Sequence, residues 1–288
     1  MKEITVISGK GGTGKTTLTA AFASLASNMV LADCDVDAAD LHLLATPEVL
    51  ETRKFYGLML ASKDDDLCTD CGQCYERCRF QAIDRDYNII PSACEGCAVC
   101  ELVCPVDAIQ MVDRESGVAF LSKTRFGPMA HAELHTAEEA SGKLVAVVRE
   151  MAKAKAKEDG QDLILIDGPP GIGCPVIAAI SGVDMVLVVT EPTLSGIHDL
   201  ERVLGVADHF QIPAGVVVNK HDLNPENTKR IRDYCAGLGV EVLGLLPYHG
   251  SATAAMIEER TLIEHGGPLA EEARRIWTRA EEILNDQG

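Results

Sequence analysis

Eight cysteines fall within 37 residues, at positions 68, 71, 74, 78, 94, 97, 100 and 104. Thiolates are soft ligands for iron–sulfur clusters and zinc, so crowding of this kind points to metal chemistry. The spacing is C-x2-C-x2-C-x3-C, written twice, with Arg79 after the first run and Pro105 after the second. A second stretch speaks of phosphate: Gly9-Lys10-Gly11-Gly12-Thr13-Gly14-Lys15-Thr16-Thr17, which fits Gly, four residues, then Gly-Lys-Thr. Its glycines let backbone N–H groups converge on phosphate oxygens, and the helix start that follows adds positive potential. Lys15 is placed to reach the β- and γ-phosphates, and the Thr16 hydroxyl to ligate Mg²⁺.

The duplicated cysteine spacing is that of bacterial two-cluster ferredoxins, in which three close thiolates hold one 4Fe–4S cube and the fourth comes from the other run. One cluster is thus expected on Cys68, Cys71, Cys74 and Cys104, the other on Cys78, Cys94, Cys97 and Cys100. Zinc is the competing reading, but zinc sites take four ligands in two pairs with a longer gap. Residues 61–124 carry 12 acidic and 6 basic side chains, and two oxidised clusters would bring this segment to roughly −10. That charge favours a basic redox partner.

The surroundings of the phosphate loop alternate as a parallel α/β protein does. Strands are expected at Glu3–Ser8, Met29–Ala32, Leu163–Ile166, Met185–Val189, Val216–Val218 and Val240–Leu246. Helices are expected at Lys15–Ser27, Ala137–Lys157, Cys174–Ile180, Ser195–Phe210, Asn227–Leu238 and Leu269–Leu284. The expectation is a doubly covered parallel sheet built from 1–60 and 125–288, with an α+β insert at 61–124. With 288 residues and a formal net charge of −18, the chain lacks the clustered positive charge that nucleic acids or anionic membranes demand. No signal stretch opens it and no apolar run approaches the ~20 residues of a membrane span, which reads as cytoplasmic. In that setting the eleven cysteines stay reduced.

Lys10, early in Lys-Gly-Gly-x-Gly-Lys-Thr-Thr, makes the loop resemble the deviant Walker A family of MinD, ParA, Mrp-type carriers and the nitrogenase iron protein. The resemblance implies that Lys10 crosses a dimer interface to the partner's ATP. It implies that Asp35 orients the attacking water and belongs with Thr16 and Asp167 to the Mg²⁺ site, which Asp167 holds through water, and that Gly171 lies where the switch feels the γ-phosphate. Asp33 is the weaker neighbour of Asp35. Asn219, with Pro247 and Tyr248, sits where this family reads adenine, although Asn219-Lys220-His221-Asp222 is also the lettering by which GTPases read guanine.

The whole chain resembles MinD-superfamily ATPases with an inserted ferredoxin domain, supported by Arg125-Phe126-Gly127-Pro128, Ser141-Gly142-Lys143-Leu144-Val145 and Gly171-Ile172-Gly173-Cys174-Pro175-Val176. That resemblance implies an ATP-driven homodimer, or a heterodimer with a related ATPase, coupled to electron transfer or to cluster assembly on a carrier of the orange-protein type. The other reading is a spatial organiser with the clusters as redox sensors. Cys174 is expected to be a thiol without metal, Cys34 and Cys235 to be packing residues, and His131, Glu133 and His135 to lack the further ligand a metal site needs. The terminal helix balances Glu271, Glu272, Glu281 and Glu282 with arginines, so it is expected to pack rather than to bind lipid.

Overall fold

The computed structural model describes residues 1–135 and 141–286. In chain order the first elements are β1 (Lys2–Ser8), α1 (Lys15–Ala23), β2 (Met29–Asp33), α2 (His42–Ala45), β3 (Glu48–Lys63), α3 (Gln73–Arg77), α4 (Val99–Leu102), β4 (Ile109–Thr124) and β5 (Gly127–Leu134). Then come α5 (Ser141–Asp159), β6 (Leu163–Pro170), α6 (Cys174–Ile180), β7 (Met185–Thr190), α7 (Leu194–His209), β8 (Ala214–Asn219), α8 (Pro225–Leu238), β9 (Glu241–Leu246), α9 (Ser251–Ile257), α10 (Leu262–His265) and α11 (Pro268–Asp286). The expected helix start at Ala137 lies outside the described residues. Two compact units form, one from 1–52, 119–133 and 141–288, the other from 53–118 and 134–140.

The first unit is an α/β fold on a mostly parallel sheet, ordered β5-β2-β6-β1-β7-β8-β9, with β4 and then β3 beyond β5. Each pairing from β5 to β9 is parallel, with Ile4 opposite Leu165 on one side and Met185 on the other. The central strands are runs of Val, Ile and Leu because helices cover both faces, leaving no side for polar residues. Ile4, Val6, Leu165, Leu187 and Val217 are buried in one core with Phe22 of α1 and Trp277 of α11, whose rings stack at 5.3 Å. The stripe Leu269, Ala273, Ile276, Trp277 and Ala280 faces that core, so α11 is a packing helix. Helix α1 ends at Ala23 rather than at Ser27, where Leu25 N donates three residues back to Phe22 O and tightens the last turn.

Strand β5 was not foreseen, and neither were the two long strands β3 and β4. Each runs 16 residues and crosses from one unit into the other. Most of β3 is solvent-exposed, so it needs no apolar alternation and shows none.

The second unit has a small core of Ala61, Cys74, Ile83 and Ile109, against which Cys78, Cys94, Cys100 and Cys104 pack. Its sequence repeat is also a structural one. Left-handed backbone at Asp70, Gly72 and Gln81 recurs 26 residues later at Gly96, Ala98 and Asp107.

Candidate functional site

The loop Gly9–Thr16 joins the end of β1 to the start of α1. Gly14 caps α1 in the left-handed region (φ 89°), and a Cβ there would lie 2.6 Å from Asn219 Nδ2. Two side chains tether the loop: Ser8 Oγ donates to Lys10 O at 2.8 Å, and Asn219 Nδ2 donates to Thr13 O at 2.7 Å. Lys10 itself is exposed.

Lys15 turns back into a nest of carboxylates. Its Nζ lies 3.0 Å from Asp167 Oδ2, 3.6 Å from Asp35 Oδ2 and 3.2 Å from Thr16 Oγ1. Asp167 also accepts from Thr16 Oγ1 at 2.8 Å and from Thr19 Oγ1 at 2.7 Å. Register explains the meeting, because β2 and β6 pair with Asp33 directly opposite Asp167. Burial pushes the Asp35 carboxyl up against the pull of Lys15. Burial and then the Asp167 charge push Asp33 well above the usual carboxylate range. Burial works to lower the Lys15 ammonium, but Asp167, Asp35 and Asp33 outweigh it and its pKa is raised. Three carboxylates around one ammonium leave a net negative pocket, and Asp33 Oδ2 is buried with no hydrogen-bond partner. This is a hard-oxygen environment of the kind Mg²⁺ accepts while keeping most of its ligands from water and phosphate.

Two hollows meet at Gly12, Gly14, Thr17 and Met256. The first, with about 910 Å³ of unfilled space, is lined by Gly11, Lys15, Thr16, Asp35, Leu44 and Pro170. The second, about 850 Å³, is lined by Asn219, Lys220, Pro247, Tyr248 and His249. Asn219 Oδ1 is engaged as well, accepting from Lys220 N at 2.9 Å. Asp222 accepts from Tyr248 N at 2.6 Å and does not line the second hollow; that bond holds its carboxyl below the usual range. Gly171 N donates to Ser8 O at 2.8 Å, next to the lining Pro170.

The cysteines gather into two further hollows. Cys68, Cys71, Cys74 and Cys104 line one of about 320 Å³. Cys78, Cys94, Cys97 and Cys100 line another of about 360 Å³ with Phe80, Ile83, Ile89 and Met111. Backbone N–H groups of Ala82 and Ala108 point at Cys78 Sγ (3.3 Å) and Cys104 Sγ (3.2 Å), equivalent bonds in the two repeats. Burial pushes the Cys74 and Cys100 thiols up. Among the described residues, no three His, Cys, Asp or Glu side chains converge to hold a single metal ion.

Residues 4–262 match the CobQ/CobB/MinD/ParA nucleotide binding domain. The chain belongs to that family. An uncharacterized protein of Methanocaldococcus jannaschii is 38% identical over 290 residues, covering 98% of this chain and 97% of that one. The septum site-determining protein MinD of Bacillus subtilis is 25% identical, over 93% of this chain and 81% of its own. The fold is shared with Pyrococcus horikoshii MinD complexed with Mg-ADP, at a TM-score of 0.60 and 16% identity, over 100% of this chain and 98% of that one.

Within the CobQ/CobB/MinD/ParA framework the structure brings together Gly11, Gly12, Gly14, Lys15, Thr16, Thr17 and Asp35 around the first hollow. Asn219, Pro247 and Tyr248 come together around the second. Lys10 stands apart from both. Thr19 and Met256 escaped the sequence reading; Lys220, named there only within the lettering after Asn219, pairs its Nζ with Glu191 and lies 3.4 Å from Gly12 O. His131 stacks on Phe120 at 5.0 Å and bonds Ser122 Oγ at 2.8 Å, and burial pushes it down to about 4. Cys34 and Cys235 are buried; Cys174 is exposed. Among the described residues, no helix is long and apolar enough to cross a membrane.

Proposed function

We propose that the chain is a Mg²⁺-dependent ATPase with a deviant phosphate loop, whose ATP-gated dimer acts on electron transfer, or on cluster assembly, through two 4Fe–4S centres. The observation that carries this is the sorting of eight cysteines into two hollows of four, each drawing its fourth thiol from the other repeat. A tetrahedral zinc site would need four thiolates gathered ~2.3 Å from one point. A hollow walled by four thiols suits a cubic cluster instead, with Cys68, Cys71, Cys74 and Cys104 holding one and Cys78, Cys94, Cys97 and Cys100 the other. Such a cluster supplies a one-electron redox centre. The Ala82 and Ala108 N–H groups would stabilise the negative charge on its thiolates.

In the nucleotide unit, Gly11, Gly12 and Gly14 offer N–H groups to phosphate, while Lys15 neutralises the β- and γ-oxygens. Thr16, Asp35 and Asp167 would hold Mg²⁺, Asp35 would also orient the attacking water, and Gly171 beside Pro170 would register the γ-phosphate. Exposure of Lys10 supports its role as the lysine offered to a partner's nucleotide. The base lies between Asn219 and the Pro247–Tyr248 turn. Engagement of Asp222 by Tyr248 N favours adenine, since that carboxylate is committed to backbone. A homodimer or a heterodimer with a related ATPase meets the requirement, and a basic redox or cluster carrier is the complementary client. Sequence similarity to MinD favours the second reading, a spatial organiser whose clusters sense redox state.

The test is anaerobic purification followed by iron and sulfide analysis and light scattering. The expected yield is about eight irons and eight sulfides per chain. Asp35→Ala should dimerise with ATP but not with ADP, and adding Lys10→Ala should abolish that dimer while monomer binding survives. Stoichiometric zinc without sulfide overturns the cluster reading. A dimer indifferent to Lys10 overturns the deviant-loop reading.

A further inference from the structure

We infer that Arg125 is a positioning residue that transmits nucleotide occupancy to the cysteine-rich unit. The inference rests on the proposed nucleotide function. Its basis lies inside the first unit. The chain leaves for the cysteines through β3, which starts at Glu48 just after α2, and returns through β4, which ends at Thr124. Arg125 is the next residue. Its guanidinium makes three bonds to three different segments. Nε donates to Leu44 O at 2.6 Å, Nη1 to Glu264 Oε1 at 3.0 Å and Nη2 to Glu259 O at 3.3 Å. Its backbone N–H reaches Ala45 O at 3.4 Å, and the guanidinium lies over the Phe126 ring at 4.8 Å.

Each partner leads back to the nucleotide hollows. Leu44 lines the phosphate hollow on the segment that begins at Asp35. Glu259 N donates to Met256 O at 3.1 Å, and Met256 lines both hollows. Glu264 closes a capping box with Thr261, and Thr261 Oγ1 accepts from Ser24 Oγ at 2.9 Å, at the end of the helix that Lys15 begins. One planar fork therefore ties the exit and re-entry of the chain to the loop helix and to both hollow walls. A guanidinium suits this task because its donors are fixed in one plane, so it cannot follow one partner without pulling on the others. A movement of α2 when phosphate engages Asp35 and Leu44 is then delivered to both long strands at once. Lysine, whose three donors share one nitrogen, would keep the charge toward Glu264 and lose the planar fork.

Hydrogen exchange of the anaerobically purified full chain, with and without the slowly hydrolysed Mg-ATPγS, decides the matter. In the unsubstituted protein the nucleotide should slow exchange in residues 35–46 and also in 53–63 and 109–118. In Arg125→Gln and Arg125→Lys, nucleotide affinity and the response of 35–46 should persist, while the response of 53–63 and 109–118 falls about fivefold or more. Glu264→Gln, which keeps the arginine in place, should lose part of that response. Undiminished responses in all three variants overturn the role of Arg125. If 35–46 responds in the unsubstituted protein and 53–118 does not, nucleotide binding stands and the transmission fails. If nothing responds, the nucleotide reading itself has failed.

Discussion

The two units are held together by different means. In the nucleotide unit, Val, Ile and Leu from seven parallel strands close a core around Phe22, Leu165 and Trp277. In the cysteine-rich unit the core cluster is Ala61, Cys74, Ile83 and Ile109, with Phe55, Ala82 and Ala108 also buried, and much of what packs against that cluster is cysteine. A core that small cannot balance the conformational entropy of some sixty ordered residues, at about 1–2 kcal/mol each for the backbone alone. The contrast teaches that one unit folds on its own apolar surface, while the other, on the proposed function, draws its stability from clusters held by its cysteines. Metal removal is the harshest way to break the comparison. Under an iron chelator and reductant, exchange protection should vanish across 53–118 while β1, β6 and β7 keep theirs, because binding free energy becomes folding free energy only where ligands are the core. Protection that survives in the cysteine unit would show a self-sufficient fold.

The reciprocal experiment attacks the apolar side. Trp277 is buried and stacked on Phe22, so Trp277→Ala should cost the nucleotide unit about 3–5 kcal/mol. Iron content per folded chain should stay unchanged. Denaturant unfolding followed by circular dichroism, together with iron analysis, reads both quantities. A parallel loss of iron would mean that the units do not stand separately.

What the sequence disclosed follows the same division. Chemistry that fixes spacing along the chain was legible: the glycines before Lys15 and the paired cysteine runs are local patterns, and the structure gathers those residues around hollows. The central strands were legible because burial on both faces writes a continuous apolar run. The strand β3 was not, since an exposed strand places no demand on hydropathy; β4 is mostly buried or half-buried, but its buried positions do not alternate regularly and so wrote no strand pattern. Contacts made across long separations were equally invisible. Thr19 meets Asp167 and Arg125 meets Glu264 from 148 and 139 residues away, and no local signal marks either. Asn219 was legible as a wall residue, but its amide also braces Thr13 O, which only the fold reveals.

Charge inside the nucleotide unit gives a finer test of its apolar self-sufficiency. Burial and Asp167 raise the Asp33 carboxyl, so the folded unit holds that proton more tightly than the unfolded chain does. The sign follows from linkage: stability falls as pH rises from about 3.8 through the raised value, and above it the penalty is complete. Asp33→Asn should therefore melt higher than the unsubstituted protein at pH 7, with the gain shrinking as pH drops toward 4. Saturating Mg-ATP should narrow the difference at pH 7, because the Mg²⁺ of the complex would lie beside these carboxylates and favour their charged forms. Melting curves across that range suffice, and an Asn variant less stable at pH 7 than at pH 4, relative to the parent, would refute the account.

The smallest expected effect concerns Asp222, where the two lettering schemes for the base diverge. If Asp222 only braces the Tyr248 turn, its removal loosens one wall of the second hollow without touching the base edge. Loss of one hydrogen bond to backbone is worth about 1 kcal/mol, or roughly fivefold in affinity. Asp222→Ala should then weaken ATP and GTP alike by about that factor. A carboxylate that reads guanine behaves otherwise. It pairs with the base edge, and its loss strips discrimination by orders of magnitude, because a site built to bond a polar edge penalises the unpaired group heavily. Titration of both nucleotides against the parent and Asp222→Ala separates the cases. Equal modest losses keep Asp222 as a brace and adenine as the base; a selective collapse of GTP binding would reassign the pocket.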